Sequence, residues 1–173
     1  MGAVTPLSAH GTVTPPERLN AHHDLSAFDC GEPAIDGWLR THAASSEGRT
    51  ARTYVVTGGG SRVIGYYAIA TGSIERRELP RKKRHGAPDP VPVAILARLG
   101  VTKEWQGREL GLDLLQDALK RLAQAAEIVG LRGVVVHALN DKVAGFYREH
   151  QFQPTPIDPR TLFLAIESIA VSL

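Results

Sequence analysis

The sequence predicts a mixed α/β fold, a twisted sheet flanked by helices, in a single domain. The chain has 173 residues, a length that suits one domain with a sizeable core. Apolar residues make up 43% and charged residues 22% of the chain, which is ordinary for a globular protein. The most regular amphipathic helix pattern lies between β-rich runs, so strands are expected on both sides of a long helix.

The predicted elements follow one another along the chain. They are a flexible lead-in over residues 1–16 and a domain over 17–173 that contains a helix over 34–44, hairpin strands over 53–57 and 63–70, a loop over 76–92, a strand over 93–101, a helix over 110–126, a strand over 134–138, a helix over 141–150 and a closing strand over 161–169.

Local composition predicts the elements before residue 93. The lead-in holds three prolines and few apolar residues, which argues against packing. Ile35, Trp38 and Leu39 are at helical spacing. The hairpin strands are β-rich and are joined by a glycine-rich turn over 58–61. The following loop has four prolines, no periodicity and a cluster of basic residues, all typical of irregular structure.

The second half is organised around the helix over 110–126. Its apolar residues recur at three- and four-residue steps, and polar residues occupy the other face. Gly130 is expected to cap this helix in the left-handed conformation, and Asp141 to cap the short helix that follows. The apolar runs over 134–138 and 161–169 predict buried strands.

Charge is concentrated in one part of the chain. The net charge is +2, but residues 72–108 hold nine Lys/Arg and four Asp/Glu, so that stretch carries +5 and the remainder −3. Such a stretch suits a polyanionic partner, and it is equally consistent with a solvated loop.

The single cysteine, Cys30, excludes an internal disulfide and suits a reducing compartment. With no apolar run long enough for a bilayer, the chain is expected to be cytoplasmic. The seven histidines lack metal-ligand spacing, so no metal is expected.

The segment over 106–111 is a candidate anion site. It reads Gln-Gly-Arg-Glu-Leu-Gly and leads from a strand into the long helix. The start of a helix offers free N–H groups and a positive dipole end to a phosphate. The same spacing also occurs in plain turns.

Two motifs resemble the GNAT acetyltransferase family. Asn140 is followed seven residues later by Tyr147 and then by a phenylalanine, as in the family's fourth motif region. Gln106 and Gly111 match the family's pyrophosphate loop, whereas Glu109 stands where the family has glycine. The resemblance implies the GNAT fold, and acetyl-CoA as the acetyl donor.

The resemblance extends to one subfamily, the TacT and AtaT type of toxin, which acetylates aminoacyl-tRNA. The matching segments are residues 28–31, 52–56, 65–67, 89–92, 98–99, 106–111, 136–138, 146–147 and 158–159. The resemblance implies an N-acetyltransferase that caps the amino group of aminoacyl-tRNA and blocks translation. It also implies a ribbon-helix-helix antitoxin that holds the toxin silent, and a homodimer.

The resemblance further implies roles for individual residues. Tyr147 would donate a proton to the departing thiolate; without the resemblance, its sequence context favours a core aromatic residue with its hydroxyl at the surface. Asn140 would bind the pantetheine arm, and its other interpretation is a helix cap. The implied cofactor-binding residues are Leu99, Val101, Gln106, Gly107, Arg108, Glu109, Leu110, Gly111 and Asn140. The basic residues expected to meet tRNA phosphates are Arg76, Arg77, Arg81, Lys82, Lys83, Arg84 and Arg98.

Other functions stay open at this point. One is a GNAT enzyme that acts on a small amine or a protein amine, against which the basic loop argues. Another is a non-catalytic, antitoxin-bound corepressor whose cofactor loop has decayed at Glu109. The basic loop itself could dock an acidic antitoxin segment instead of tRNA.

Overall fold

The computed structural model describes residues 13–172 and confirms the predicted mixed α/β sheet with helices. Its helices are α1 Pro33–Thr41, α2 Ala43–Ser46, α3 Leu110–Ala126, α4 Asp141–Glu149 and α5 Ile166–Ser172. Its strands are β1 Glu17–Arg18, β2 Arg52–Thr57, β3 Val63–Ile74, β4 Val91–Val101, β5 Gly133–His137, β6 Gln153–Pro154 and β7 Thr161–Ala165.

The sheet has the strand order β1-β2-β3-β4-β5-β7-β6. β2 pairs antiparallel with β1 and β3, β4 pairs parallel with β5, and β7 pairs antiparallel with β5 and β6. The chain divides into two compact units. The first holds the described residues up to 69 together with 98–118, and the second holds residues 70–97 together with those from 119 onward.

The core of the first unit forms around α1 and the hairpin. Leu39 and Tyr66 are fully buried, and the Tyr66 hydroxyl donates a 2.7 Å hydrogen bond to the carbonyl of Ile35. Gly100 on β4 lies directly against α1, because a Cβ there would stand 2.8 Å from a methyl group of Ile35. Any larger residue at 100 would push the helix off the strand.

The core of the second unit includes part of the predicted basic loop. Leu79 and Ala87 are buried in a cluster with Val93, Val135 and Phe163. Two short 3-10 helical turns, Arg76–Glu78 and Arg81–Lys83, replace the irregular structure expected there. Burial of these apolar residues fixes the loop to the core of its own unit.

Three local predictions are wrong. Gly130 does not cap α3: the helix ends at Ala126, and Gly130 lacks a positive φ. The run over 161–169 is not one strand, since β7 ends at Ala165 and α5 follows; a short apolar run does not distinguish strand from helix. Asp141 is the first residue of α4, and Asn140 is its cap.

The structure also differs from the predictions at its amino-terminal side. Residues 1–12 of the expected lead-in lie outside the described residues, and Thr14 donates its amide hydrogen to the Thr57 carbonyl at 3.2 Å. The predicted helix over 34–44 is two helices, α1 and α2. The two-residue strands β1 and β6 were not predicted, because such short segments carry no periodicity. Within the described part of the chain, no helix is long and apolar enough to cross a membrane.

Candidate acetyl-CoA and tRNA sites

The loop before α3 has the alternating signs of φ that are typical of an anion-binding nest. Gly107 and Glu109 have positive φ angles of 76° and 65°, and Arg108 between them does not. Alternation of this kind turns successive N–H groups toward the same side. The first i to i−4 hydrogen bond at the start of α3 joins the Asp113 amide to the Glu109 carbonyl, at 3.0 Å. The amides of residues 110–112 therefore have no carbonyl within the helix and remain available to an anion.

Gln106 holds this loop in place. Its Nε2 donates to the Val101 carbonyl at 2.8 Å and to the Cys30 carbonyl at 2.9 Å. The side chain thus ties the loop to the end of β4 and to the segment before α1. Gln106 acts here by positioning the loop backbone, and part of the acceptor capacity of Val101 is already used.

Arg108 carries the clearest sign of an anionic ligand. Its guanidinium lies over the Trp105 ring, 5.0 Å from the centroid. Its Nη1 is buried and has no hydrogen-bond partner in the described part of the chain. A buried donor on a charged group without an acceptor is destabilising. Together with the nest, this nitrogen fits the pyrophosphate of acetyl-CoA.

Glu109 is the departure from the family pattern, and its backbone is strained. A non-glycine residue at φ 65° lies in the sparsely populated left-handed region. Its side chain is exposed, and it makes no ion pair with Arg108 among the described residues. Burial, and then the Glu109 carboxylate, raise the pKa of Asp113, which places the Glu109 charge near the start of α3.

Leu99 and Val101 lie near the carboxyl end of β4. The register of β4 with β5 covers Ala94 to Leu96, so residues 97–101 lie beyond that register. Peptide groups on the edge of β4 that is not paired with β5 can bond a ligand. Binding of the pantetheine arm by Leu99 and Val101 stays a prediction.

The second unit holds the predicted residues of α4. Asn140 is the N-cap of this helix, and its Oδ1 accepts from the Val143 amide at 2.9 Å. Both interpretations of Asn140 can hold together, because capping uses the amide oxygen and leaves the NH₂ group as a donor. Its role toward a cofactor stays a prediction.

Tyr147 is a buried phenol. It is 6% exposed and packs edge-on against Phe146 and Phe152 at 5.2 Å and 5.3 Å. Burial raises its pKa, because the low-polarity surroundings disfavour the phenolate. Its hydroxyl makes no hydrogen bond with another described residue. Tyr147 therefore stays protonated at neutral pH and is available as a donor.

The predicted tRNA-binding loop contains two kinds of cation. Lys83 and Arg84 are half-buried and hold the loop together. Lys83 bonds Glu167 at 2.8 Å, and Arg84 donates to the carbonyls of Leu79 and Arg77 at 3.0 Å and 2.9 Å. Lys83 and Arg84 thus have partners inside their own unit, and their contact with tRNA stays a prediction.

The remaining cations face solvent. Arg76, Arg77, Arg81 and Lys82 are exposed, and Arg77 forms an ion pair with Glu75. Arg76, Arg81 and Lys82 have no side-chain ion pair among the described residues. These three side chains are the cations that the loop can offer to a polyanion without breaking a contact.

Arg98 belongs to the first unit, where it lies on β4. Its guanidinium is 5.6 Å from the centroid of Trp38, and Trp38 stacks on Tyr66 with rings 3° from parallel. Cation–π contact of this kind fixes the side chain. Its contact with tRNA stays a prediction.

Cys30 lacks the surroundings of a reactive thiolate. The thiol is half-buried, and burial followed by a hydrogen bond to Asp36 raises its pKa to about 12. At neutral pH it is therefore a thiol rather than the reactive thiolate. Over the residues that the structure describes, no cluster of three or more His, Cys, Asp or Glu side chains could hold a metal ion.

Comparison with known proteins gives the class of this protein, a GNAT acetyltransferase. No protein-family model matches the chain, but individual relatives do. The chain is 41% identical over 152 residues to the tRNA-acetylating toxin of Mycobacterium tuberculosis, across 88% of this chain and 92% of that protein. It is 33% identical to the probable toxin TacT of Sinorhizobium fredii, across 85% and 87% of the two chains. The chain therefore belongs to the family of tRNA-acetylating toxins.

Solved structures agree with this assignment. A tyrosine-to-phenylalanine mutant of KacT has a TM-score of 0.86 and 28% identity, across 93% of this chain and 99% of that one. AtaT complexed with acetyl-methionyl-tRNAfMet has a TM-score of 0.85 and 31% identity, across 92% and 98%. A tyrosine-to-phenylalanine mutant of AtaT bound to the C-terminus of the antitoxin AtaR and acetyl-CoA has a TM-score of 0.79 and 29% identity, across 92% and 96%. The predicted GNAT fold and subfamily are confirmed.

Proposed function

We propose that this chain transfers the acetyl group of acetyl-CoA to the α-amino group of an aminoacyl-tRNA and so blocks translation. The observation that carries the proposal is its 41% identity to a tRNA-acetylating toxin over most of both chains. The nest before α3 and the protonated Tyr147 supply the chemical groups that this reaction needs. An acetyltransferase for small amines would have no use for the exposed cations of the loop.

The cofactor is held mainly by backbone groups. The nest amides over residues 107–111, together with the Arg108 guanidinium, bind the pyrophosphate. The end of β4, at Leu99 and Val101, and the Asn140 side-chain amide bind the pantetheine arm. Backbone donors suit this task because their orientation is set by the fold and needs no reorganisation.

The attacking amine needs little activation. An α-amino group has a reference pKa of about 8, so a substantial part is neutral near that pH. The chain can therefore act without a strong general base. Its main task is to orient the amine beside the thioester, since orientation itself lowers the barrier of such reactions.

Tyr147 assists departure of the sulfur. As the amide bond forms and the C–S bond breaks, the nitrogen loses one proton to solvent and the sulfur gains one. The Tyr147 hydroxyl donates its proton to the sulfur and regains one from solvent. A tyrosine hydroxyl, with a reference pKa of about 10, is protonated across the neutral range, and burial, which raises the pKa of Tyr147, leaves it in that form.

The loop cations bind the tRNA backbone. Arg76, Arg81 and Lys82 form a positively charged surface that meets phosphates without reading sequence. Arg98 contributes a further positive charge from β4. Acidic groups of an antitoxin could use the same cations, so inhibition and substrate binding would compete.

The partners follow from the same assignment. The antitoxin is of the ribbon-helix-helix type, and the toxin acts as a homodimer. A relative bound to the C-terminus of its antitoxin supports an antitoxin as partner. The ribbon-helix-helix type and the homodimer are expectations from the family resemblance. Because aminoacyl-tRNA is consumed at the ribosome, the protein acts in the cytoplasm.

Incubation with labelled acetyl-CoA and a mixed aminoacyl-tRNA pool tests the proposal. Label is expected on tRNA, and alkaline hydrolysis of the ester should release it as one or a few N-acetylated amino acids. Deacylated tRNA is the matched control and should stay unlabelled. Label that appears only on protein or on a small amine would assign the enzyme to another substrate class.

A further inference from the structure

A cleft of about 270 Å³ lies beside the loop that precedes α3. Its lining residues are Gly58, Arg62, Glu104, Trp105 and Arg108. Gly58 and Arg62 come from the turn between β2 and β3, and the other three follow β4. All five belong to the first unit, so the cleft is formed within one compact part of the chain.

Two arginines in this cleft have unsatisfied donors. Arg62 Nε and Arg108 Nη1 are both buried and without a hydrogen-bond partner among the described residues. The only other such side-chain atom in that part of the chain is a neutral hydroxyl oxygen, that of Thr53. The unsatisfied guanidinium nitrogens thus occur together in one place rather than scattered over the surface.

The charge of the cleft favours an anion. Arg62 Nη2 bonds Glu104 Oε1 at 2.6 Å, but the Glu104 side chain is 66% exposed, so solvent screens its charge. Arg108 stacks on Trp105 and has no carboxylate partner in the described structure. Two cations therefore face one screened carboxylate, and the cleft carries a net positive charge.

We propose that this cleft binds the 3′-phosphate of acetyl-CoA, with Arg62 as an additional cofactor-binding residue. The inference rests on the proposed function. Arg108 links the two phosphate groups: its guanidinium, which helps the nest amides to hold the pyrophosphate, also lines the cleft and is shared with the 3′-phosphate there. A phosphate monoester presents several oxygens with up to two negative charges, which suits paired guanidinium groups. A phosphate of the tRNA backbone has related chemistry and is the competing source.

Calorimetric titration of acetyl-CoA and of 3′-dephospho-acetyl-CoA tests the assignment. Arg62→Gln should weaken acetyl-CoA binding about tenfold, the usual size for loss of a charge-assisted hydrogen bond. The same substitution should change dephospho-acetyl-CoA affinity less than about twofold, because the group that Arg62 contacts is missing. Arg62→Lys, which keeps the charge and loses the planar fork, should lie between wild type and Arg62→Gln.

Arg18→Gln is the matched control, since Arg18 on β1 also forms a 2.6 Å ion pair with a glutamate, Glu47. It should leave both affinities unchanged, and melting curves should show all variants folded. Equal losses for the two ligands would overturn the 3′-phosphate assignment. Unchanged acetyl-CoA affinity with weaker tRNA binding would overturn it in favour of an RNA phosphate. Wild-type protein that binds neither cofactor would instead overturn the proposed function.

Discussion

Tyr147 can be tested by removal of a single oxygen atom. Its ring packs between Phe146 and Phe152, and its hydroxyl has no hydrogen-bond partner among the described residues. Tyr147→Phe should therefore fold normally and bind acetyl-CoA as wild type does. Loss of proton donation should lower the rate of transfer by about 10²–10⁴-fold, measured as single-turnover acetylation of aminoacyl-tRNA.

Tyr66→Phe is the control for that substitution. The Tyr66 hydroxyl is buried and bonded to the Ile35 carbonyl, so its loss should lower the free energy of unfolding by about 1 kcal/mol. Its transfer rate should be unchanged. Near-wild-type transfer by Tyr147→Phe would remove this residue from the mechanism.

Glu109 places a negative charge beside the site assigned to the pyrophosphate. At an exposed position the repulsion amounts to about 1 kcal/mol, so Glu109→Gly should tighten acetyl-CoA binding roughly three- to tenfold. The gain should be larger at low ionic strength, where screening is weak. Calorimetric titration at two salt concentrations measures both effects.

Glu109→Gln separates charge from backbone strain at this position. Strain at φ 65° is present with and without ligand, so it lowers stability and leaves affinity unaffected. Glutamine should therefore reproduce the tighter binding without the gain in stability that glycine brings. Equal affinities in all three proteins would show that the Glu109 charge does not reach the ligand.

At the scale of elements, the cations of the basic loop fall into two groups. Lys83 and Arg84 bond groups of their own unit, whereas Arg76, Arg81 and Lys82 face solvent. Exchange of both Arg81 and Lys82 for Ala should weaken tRNA binding and reduce its salt dependence. Each lost phosphate contact lowers the slope of log K against log salt by about 0.7–0.9. Acetyl-CoA affinity should stay constant. Filter binding at several salt concentrations gives the slope.

Arg49→Ala controls for loss of positive charge, because Arg49 is exposed on the segment between α2 and β2. It should leave the salt slope unchanged. Arg84→Ala should instead loosen the loop, because Arg84 donates to two loop carbonyls. A slope that does not move in the double variant would assign Arg81 and Lys82 to the antitoxin or to solvent.

At the scale of the whole molecule, stability depends on how α3 packs on the hairpin. Leu114 is fully buried, and a Cβ at Gly65 on β3 would stand 3.0 Å from its Cδ1. Leu114→Ala should lower the free energy of unfolding by about 2–5 kcal/mol through lost contacts and a cavity. Denaturant unfolding measures the change. Leu112→Ala, at a partly exposed position of α3, should cost distinctly less; equal losses would contradict this account of the packing.

Several features of the fold could be predicted from the sequence because their causes are local. The predicted bounds of α3 match the structure, since its apolar residues repeat at helical spacing. The β2–β3 hairpin follows from β-rich runs on either side of a glycine-rich turn. The nest before α3 was predicted as a phosphate loop, and Gly107 and Glu109 give it the required alternation of φ.

Other features depend on contacts that no local pattern records. The helix α5 looked like part of a strand, because a short apolar run is compatible with either structure. The role of Lys83 depends on Glu167, which lies 84 residues away along the chain. From composition alone, all six cations of the loop were equivalent; burial separates Lys83 and Arg84 from the rest.

By itself, the sequence determined the fold class, the family, the place of the loop before α3 and the place of Tyr147 in a helix. Spacing along the chain carries that information. Only the tertiary structure decided which donors are satisfied. Arg62 and Arg108 lie 46 positions apart, and their unsatisfied nitrogens come to line one cleft only when the hairpin turn folds beside Trp105. Burial and hydrogen-bond pairing are properties of the packed chain, and they decide which of its many charges can meet a ligand.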